Sequence, residues 1–314
     1  MRRIKKRYLI PTLVLAALTT LCLVRWHAWF GMPAELEWTG PTSDYVFPSF
    51  EQDKTPESLD LLVLGDIHSR LTTQDYDLLA MRVPNADAVV QLGDWMDRGQ
   101  NYYYQELLRE WTSSMLYGMP VIATPGNHEY SKGLFNKQAS VWEHAFPHPA
   151  NGPVGVPGAT YYIDMPGLRL ISIDTNPLWR IVHLTRTLTW VHELMRDAGD
   201  RRTVVIMHHP VLSAAKGRFN LLIYCTFRHV LGYADLVIAG HDHSYMRHAP
   251  FVVLNTAGKT KKQKNKLPAE VCDSVPVYGV LTISHPQSPS PNLLFKVYRM
   301  SDASLIDSLY VNHD

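Results

Sequence analysis

The sequence predicts an α/β fold in which two β-sheets pack as a sandwich flanked by helices, preceded by one N-terminal transmembrane helix. Three observations lead to this prediction. Short apolar runs bounded by Gly or Pro recur along the chain, and such runs are typical of strands buried on both faces. Amphipathic segments lie between several of these runs, and strand-like segments return near the C-terminus. Finally, a basic cluster at the N-terminus precedes an uncharged, largely apolar segment over residues 8–24.

Five of the apolar runs end in side chains that bind metal ions in proteins. The runs are 61–64, 88–92, 121–123, 204–207 and 236–239, and Asp, Asn or His follows each of them. Ligands of α/β sheets collect beyond the carboxyl ends of such strands, so we expect these side chains to lie close together. The candidate metal ligands are Asp66, His68, Asp94, Asn127, His208, His241 and His243.

The chemistry of this set favours divalent metal ions. Imidazole, carboxylate and amide oxygen suit borderline or hard ions such as Mn, Fe or Zn, and no thiolate is on offer. Seven protein ligands are too many for one ion and fit two neighbouring ions that share a carboxylate. Two metals roughly 3.5–4 Å apart can clamp a phosphoryl group and lower the pKa of a bound water. His128 is then available for proton transfer, because Asn127 beside it supplies the ligand.

The order of these motifs resembles the calcineurin-like metallophosphoesterase superfamily over about residues 59–300. The shared pattern is Asp-x-His, Gly-Asp, Gly-Asn-His-Glu, His and Gly-His-x-His. The resemblance implies hydrolysis of a phosphate ester by a metal-bridging hydroxide, with His128 as the general acid. The implied ligands are Asp66, His68 and His243 for one metal and Asn127, His208 and His241 for the other, with Asp94 bridging them.

One difference and one match relate this chain to particular members of the superfamily. Purple acid phosphatases carry a metal-binding Tyr three residues after the second Asp, where this chain has Asp97, so their Fe(III) charge-transfer site is not expected. Protein Ser/Thr phosphatases carry Gly-Asp-x-x-Asp-Arg-Gly, which residues 93–99 match. In those phosphatases the second Asp orients the catalytic His and the Arg grips phosphate. The resemblance therefore suggests these roles for Asp97 and Arg98, although the downstream histidine motifs differ from theirs.

Two alternatives to a general phosphoesterase stay open at the level of sequence. Within the enzymes, a protein Ser/Thr-type phosphatase rests on Asp97 and Arg98. Outside them, the chain could be a metal-stabilised, membrane-tethered binding module without activity, although no ligand position is missing from the motifs. A nucleic-acid partner is not indicated, because the formal net charge is only +1. No motif encodes the substrate, a monoester or diester preference, or the oligomeric state.

The N-terminal segment, residues 1–30, predicts a membrane anchor. Five basic residues precede the apolar run, whose seventeen residues can just span a thin hydrocarbon layer as a helix. Residues 25–30 then supply interfacial aromatics. We expect an uncleaved signal-anchor, and the alternative is a cleaved signal peptide with a secreted product, although no clean Ala-x-Ala site follows. In both cases the catalytic domain, residues 59–314, should lie in the periplasm or outside the cell, after a linker over 31–58.

Several further predictions concern the remainder of the chain. Strands over 278–283, 294–298 and 304–310 are expected to complete a second sheet, and the long segment 130–160 is expected to form a rim over the metals. Cys225 and Cys272 could pair in an oxidising compartment or stay as buried thiols. The expected supporting residues are Glu129, which would orient a ligand or loop amide, His209, which would touch substrate or shape its loop, and Asp174, which would cap a turn or support the site.

Overall fold

The structure, a computed structural model, describes Thr19 and most of the chain from residue 57 onward. The described ranges are 57–99, 101–130, 142, 146, 148–156, 158–179, 181–213, 227–260, 269–286 and 288–311. The predicted anchor (except Thr19), nearly all of the predicted linker, and Cys225 lie outside these residues. Within the described ranges, no helix is both long enough and apolar enough to cross a lipid bilayer.

The described residues form thirteen strands and three α-helices of ten or more residues, and residues 227–231 are also helical. The strands are β1 (Ser58–Leu64), β2 (Ala88–Gln91), β3 (Val121–Ala123), β4 (Tyr161–Met165), β5 (Leu168–Ile173), β6 (Arg202–Met207), β7 (Leu236–Ala239), β8 (Tyr245–His248), β9 (Phe251–Val253), β10 (Val271–Asp273), β11 (Val277–Ser284), β12 (Asn292–Arg299) and β13 (Leu305–Val311). The helices are α1 (Thr73–Arg82), α2 (Asn101–Thr112) and α3 (Ile181–Arg196), with a 3₁₀ turn at Pro177–Trp179.

The strands form two mixed sheets, as the sequence predicts. The first has six strands in the order β13-β12-β11-β1-β2-β3, and the second has seven in the order β10-β8-β9-β7-β6-β5-β4. Strands β1, β2 and β3 run parallel in the first sheet, and β5, β6 and β7 run parallel in the second. Parallel strands present their carboxyl ends at one edge, so each sheet brings three strand ends to the edge where the candidate ligands lie.

The C-terminal strands join the first sheet, so the prediction that they complete the second one is wrong. Strand β11 pairs antiparallel with β1, with Leu61 opposite Leu281. The second sheet is instead completed by β8, β9 and β10, which the sequence analysis does not predict. These strands are only three or four residues long, and β8 carries Arg247 and His248 beside Tyr245 and Met246. β8 and β10 mix polar and apolar residues, and β9 is apolar but only three residues long, so none of them gives a strong strand pattern.

The core has two layers, because the central strands are buried on both faces. Val204 and Ile206 of β6 pack in the cluster that also contains the strands of the first sheet. Val205 points the other way and packs in a second cluster with Leu184 and Leu188 of α3. Helix α1 begins at Thr72 with a capping box, in which the Thr72 and Asp75 side chains each accept from the other's backbone N–H. This packing holds the ends of the central strands in fixed positions.

Candidate metal centre

The structure brings all seven predicted ligand residues together at the carboxyl ends of the parallel strands. Asp66 and His68 follow β1, Asp94 follows β2, and Asn127 follows β3. The three histidines come from the second sheet, with His208 directly after β6 and His241 and His243 after β7. Backbone hydrogen bonds align the first two turns, because the Asp66 and His68 amides donate to the Gly93 and Asp94 carbonyls at 3.1 and 2.9 Å.

Four of these residues form a first group, which consists of Asp66, His68, Asp94 and His243. One ligand atom from each lies within 4.8 Å of the others. The Nε2 atoms of His68 and His243 are 3.1 Å apart, and His243 Nε2 is 3.4 Å from Asp66 Oδ1. Three of the four side chains are buried and His243 is half-buried, so the group has limited access to solvent.

A second group, consisting of Asn127, His208 and His241, lies beside the first. His208 Nε2 is 3.3 Å from Asn127 Oδ1 and 3.2 Å from His241 Nδ1. Asp94 connects the two groups, because its Oδ2 lies 3.2 Å from His208 Nε2 and 3.7 Å from His68 Nε2. A carboxylate in this position could be shared by two ions.

In both groups, hydrogen-bond acceptors face other acceptors. His243 Nδ1 lies 2.9 Å from the Lys259 carbonyl, and His208 Nδ1 lies 2.9 Å from the Leu92 carbonyl. A carbonyl can only accept, so these Nδ1 atoms carry ring protons, and each ring in its neutral form presents the Nε2 lone pair to the group. The buried Asp66 Oδ1 has no hydrogen-bond partner among the described residues. This convergence of carboxylate, amide and imidazole side chains fits divalent metal ions.

The pKa values of these side chains support the same conclusion. Burial lowers the pKa of His68 to about 3 although Asp94 opposes the shift, so this ring is a neutral ligand at pH 7. Burial raises the pKa of Asp66 to about 8 although His208 opposes it. Burial also opposes charge on Asp94 and His208, but their mutual attraction holds the pKa of Asp94 far below its usual range and raises that of His208 to about 9. Without a metal, the proton on His208 stabilises the charge of the buried Asp94, and a bound cation would take over this stabilisation and release that proton.

The backbone at the centre adopts conformations that cost free energy. Asp66, His68, Asp94, His241 and His243 all have φ between 51° and 72°, in the left-handed region. Non-glycine residues rarely occupy this region, and such strain concentrates at functional sites. Five of the seven predicted ligands share it, which indicates that the turns are shaped to aim these side chains inward.

The match to a protein family follows from the same residues. Residues 59–245 match the family model of the calcineurin-like phosphoesterases. The chain belongs to the calcineurin-like phosphoesterase family. This family uses two divalent metal ions, and the two groups described above are an Asp and His cluster that could hold them.

One curated relative matches this chain over about half of the length of each protein. The chain is 26% identical over 166 residues to the glycerophosphodiester phosphodiesterase GpdQ of Enterobacter lignolyticus. The match covers 50% of the chain and 56% of that relative, so the chain spans about half of the relative's length.

Two solved structures share the fold of this phosphoesterase-family chain. Purple acid phosphatase PPD1 from yellow lupin superposes with a TM-score of 0.63 at 16% identity, covering 83% of this chain and 55% of the lupin protein. GAP50, described as the anchor in the inner membrane complex of Plasmodium, superposes with a TM-score of 0.60 at 13% identity, covering 82% and 90%. At these identities the likeness shows the fold alone.

Glu129 of the family's Gly-Asn-His-Glu motif holds the ligand loops from inside. Its carboxylate accepts from the backbone N–H groups of Asp94, Met96 and Gly126 at 2.7, 3.1 and 2.6 Å. The side chain is fully buried, and burial raises its pKa to about 7. Glu129 therefore fixes the turn after β2 against the turn after β3, which agrees with the expectation that it orients loop amides.

His128 lies beside both groups, and its ring also forms a set of potential metal ligands with His68 and Asp97. Its backbone N–H donates to Asp94 Oδ1 at 2.8 Å, and its Nε2 lies 3.9 Å from Asp94 Oδ2. Its Nδ1 contacts the backbone carbonyl of Asp97. The side chain is 31% exposed, far more than Asp94 at 2%, so a ligand from solvent can reach it.

Asp97 and Arg98 differ from the arrangement that the protein-phosphatase motif implies. The backbone carbonyl of Asp97, not its carboxylate, contacts the His128 ring. The carboxylate lies 3.6 Å from His68 Nδ1, on the side of that ring away from His243. Arg98 is exposed at the rim of the site.

The supporting residues after β5 are the part of the site that the sequence analysis describes least well. Asp174, Thr175 and Asn176 follow β5 at the same edge as the ligands, and Asp174 was expected there chiefly as a turn cap. His209 Nδ1 lies 2.6 Å from Thr175 Oγ1, and its ring centroid is 4.5 Å from that of His241. The sequence does place this polar triplet at the end of a strand, as it does the candidate ligands. That position could have indicated that the triplet lies near the site.

Proposed function

We propose that this chain is a phosphoester hydrolase that depends on two divalent metal ions. The observation that carries the proposal is the convergence of seven acceptor side chains from both sheets on two adjoining groups. We assign Asp66, His68 and His243 to one ion, Asn127, His208 and His241 to the other, and Asp94 to both. When bound, the ions would neutralise charge on the phosphoryl oxygens and lower the pKa of a bound water.

His128 is the proposed general acid. The Asp97 carbonyl can accept only from a protonated Nδ1, so the proton available for transfer sits on Nε2. That nitrogen lies 3.9 Å from Asp94 Oδ2, on a side chain that is 31% exposed. A leaving alkoxide placed over the ions could therefore take its proton from His128 Nε2, while Nδ1 keeps its own.

Asp97 and Arg98 have supporting roles in this proposal. The Asp97 carboxylate, 3.6 Å from His68 Nδ1, would hold the His68 ring in the tautomer that leaves its Nε2 free to bind metal. Arg98 is exposed next to it and would contact the phosphate oxygens of a bound substrate.

The leaving group tests the role of His128. The His128→Ala variant should lose roughly two to four decades in kcat on an alkyl phosphate ester, the range of general acid catalysis. It should lose much less on a nitrophenyl ester, because nitrophenolate departs without a proton. Both rates are measured on the purified full-length chain with Mn²⁺ present. An equal loss on the two esters would remove His128 from this role.

A substrate screen tests the reaction class. The relative in Enterobacter lignolyticus is named as a glycerophosphodiester phosphodiesterase, so phosphodiesters are the first class to try. Phosphomonoesters and a phosphoserine peptide complete the screen, each with Mn²⁺, Fe²⁺ or Zn²⁺. Turnover restricted to the peptide would favour the protein phosphatase. Bound metal without turnover on any ester would refute the hydrolase and leave a binding module.

The proposed location is outside the cytoplasm, on a membrane anchor formed by residues 1–30. The support is the basic cluster followed by a charge-free apolar segment. Alkaline extraction of membranes tests the anchor, since an integral protein stays in the pellet. Release into the supernatant at a mass lacking the N-terminal segment would favour a cleaved signal peptide instead.

A further inference from the structure

The triplet Asp174-Thr175-Asn176 contacts the chain on both sides of the second metal group. It follows β5, and Asp174 and Thr175 are 0% and 6% exposed. None of the three belongs to either group of candidate ligands. Each of its side chains nevertheless makes a hydrogen bond to a residue next to a candidate ligand or at the end of a ligand loop.

Asn176 holds the backbone that leads into Asn127. Its Nδ2 lies 3.2 Å from the Pro125 carbonyl and 3.3 Å from the Gly126 carbonyl, and 2.9 Å from Asp174 Oδ1. These two carbonyls directly precede Asn127. The side-chain amide therefore limits the movement of the peptide units from which this ligand projects.

Asp174 holds the other end of the same loop. Its Oδ2 accepts from the hydroxyl of Tyr130, and its Oδ1 accepts from the Asn176 backbone N–H at 2.9 Å. The loop from Gly126 to Tyr130, which contains His128, is thus fixed at both ends by residues two positions apart.

Thr175 holds the residue that follows His208. Its Oγ1 lies 2.6 Å from His209 Nδ1 and accepts from the His209 backbone N–H at 3.4 Å. The His209 ring in turn packs against His241, with centroids 4.5 Å apart. The triplet therefore reaches all three members of the second group through one intervening residue or peptide unit.

The ligands of this group come from different sheets, so their spacing depends on how the sheets are joined. Asn127 follows a strand of the first sheet, whereas His208 and His241 follow strands of the second. Thr124 Oγ1 also donates to the Ile173 carbonyl at 3.3 Å, directly before the triplet. The triplet lies where the end of β3 meets the end of β5.

We propose that Asp174-Thr175-Asn176 is a positioning unit that sets the geometry of the second metal group across the junction of the two sheets. The inference deepens the proposed function and rests on it for the presence of the second ion. The three residues act through Asn127, His208 and His241. Loss of the unit should weaken the second ion more than the first, because in the described residues the triplet reaches Asn127, His208 and His241 but, in the first group, only Asp94, through the loop that carries His128.

Metal titration of the Asn176→Ala variant tests the unit. Mn²⁺ binding is measured by equilibrium dialysis on the full-length chain in detergent, with kcat and KM for a nitrophenyl ester followed in parallel. The second ion should bind about 10–100-fold more weakly, the range for outer-shell partners of a metal, while the affinity for the first ion should fall by less. At limiting Mn²⁺, kcat should fall with KM unchanged, and excess Mn²⁺ should restore it.

Asn151→Ala is the matched control. Asn151 also exchanges two side-chain to backbone hydrogen bonds, at 3.0 and 3.1 Å, but both go to Tyr162. This variant should bind both ions like the wild type. Wild-type affinity for both ions in Asn176→Ala, or an equal loss in the two variants, would overturn the inference.

A second pair of variants covers the case in which Asn176→Ala does not fold. Thr175→Val keeps the shape of the side chain and removes the hydroxyl, whereas Thr175→Ser keeps the hydroxyl. The valine variant should weaken the second ion and the serine variant should not; equal affinities would refute the unit. If the wild type binds two ions but hydrolyses no ester, the proposed function fails, and the titrations alone still decide the role of the triplet.

Discussion

Two of the polar regions between the sheets have opposite kinds of hydrogen bonding. At the junction of β8 with β13, Arg247 Nε donates to Asp307 Oδ2 at 2.6 Å and Nη2 donates to Oδ1 at 3.2 Å. The Tyr245 hydroxyl donates to Asp307 Oδ2 at 2.6 Å. Burial opposes charge on Asp307, but these hydrogen bonds hold its pKa below the ordinary value. This junction supplies its own cation.

The metal centre joins the same sheets with carboxylates that lack such donors. Asp66 accepts one backbone N–H, from His241 at 2.7 Å, while its Oδ1 faces the lone pair of His243 at 3.4 Å. Burial accordingly raises its pKa to about 8, the opposite direction to Asp307. The comparison teaches that burial and charge alone do not identify a functional carboxylate. A functional carboxylate is identified by a contact between the sheets in which acceptors outnumber donors. Such a contact is stabilised by a cation from solution.

The largest effect is expected for Asp94, the carboxylate between the two groups. Loss of an outer-shell partner of a metal typically costs about 10–100-fold. Asp94→Asn should lower kcat by more than this, because it weakens the binding of both ions. Asp307→Asn should leave kcat per folded molecule unchanged. Steady-state kinetics at saturating Mn²⁺ check both. A similar fall in kcat for both variants would erase the distinction between the two regions.

The next effect is a difference in the sign of a stability change. Without metal, Asp66→Asn should raise the free energy of unfolding at pH 7 by about 1–3 kcal/mol, because the buried Asp66 must take up a proton on folding and the neutral amide need not. Asp307→Asn should lower it by a similar amount, because Arg247 and Tyr245 lose an ionised acceptor.

Denaturant unfolding in the presence of a chelator measures both changes. In excess Mn²⁺ the sign for Asp66→Asn should reverse, since the wild type alone would gain full stabilisation from the ions. Destabilisation by Asp66→Asn in chelator would mean that this carboxylate is satisfied without a cation.

The smallest effect concerns pH at the Arg247 junction. A carboxylate whose pKa is lower in the folded than in the unfolded chain stabilises the fold above its unfolded pKa, about 3.9. That contribution is lost as the pH falls through the folded value. The stability difference between wild type and Asp307→Asn should therefore be constant near neutrality and shrink below about pH 4. A difference that stays constant down to pH 2 would contradict the assigned pKa direction.

Much of the site could be predicted because its ligands follow a simple pattern. Asp66, Asp94 and His208 each lie within three residues of the end of a largely apolar strand, and parallel strand ends converge in any sheet of this kind. The sandwich itself was predictable for the same reason. The assignment of the C-terminal strands was not, because the pairing of Leu61 with Leu281 depends on contacts between residues more than two hundred positions apart.

The supporting interactions could not be predicted, because they depend on which atoms of a residue face the site. Sequence indicates that Asp97 lies near His128, but only the folded chain places its carbonyl on His128 and its carboxylate near His68. Likewise, Asn176 resembles an ordinary loop residue until the Pro125 carbonyl is brought next to it by the packing of the sheets.

Anomalous diffraction from crystals of the chain grown with Mn²⁺ tests the central claim most directly. The account predicts two peaks roughly 3.5–4 Å apart, one on each side of the Asp94 carboxylate, with the three second-sheet histidines divided between them. A single peak, or two peaks of which only one contacts Asp94, would contradict it.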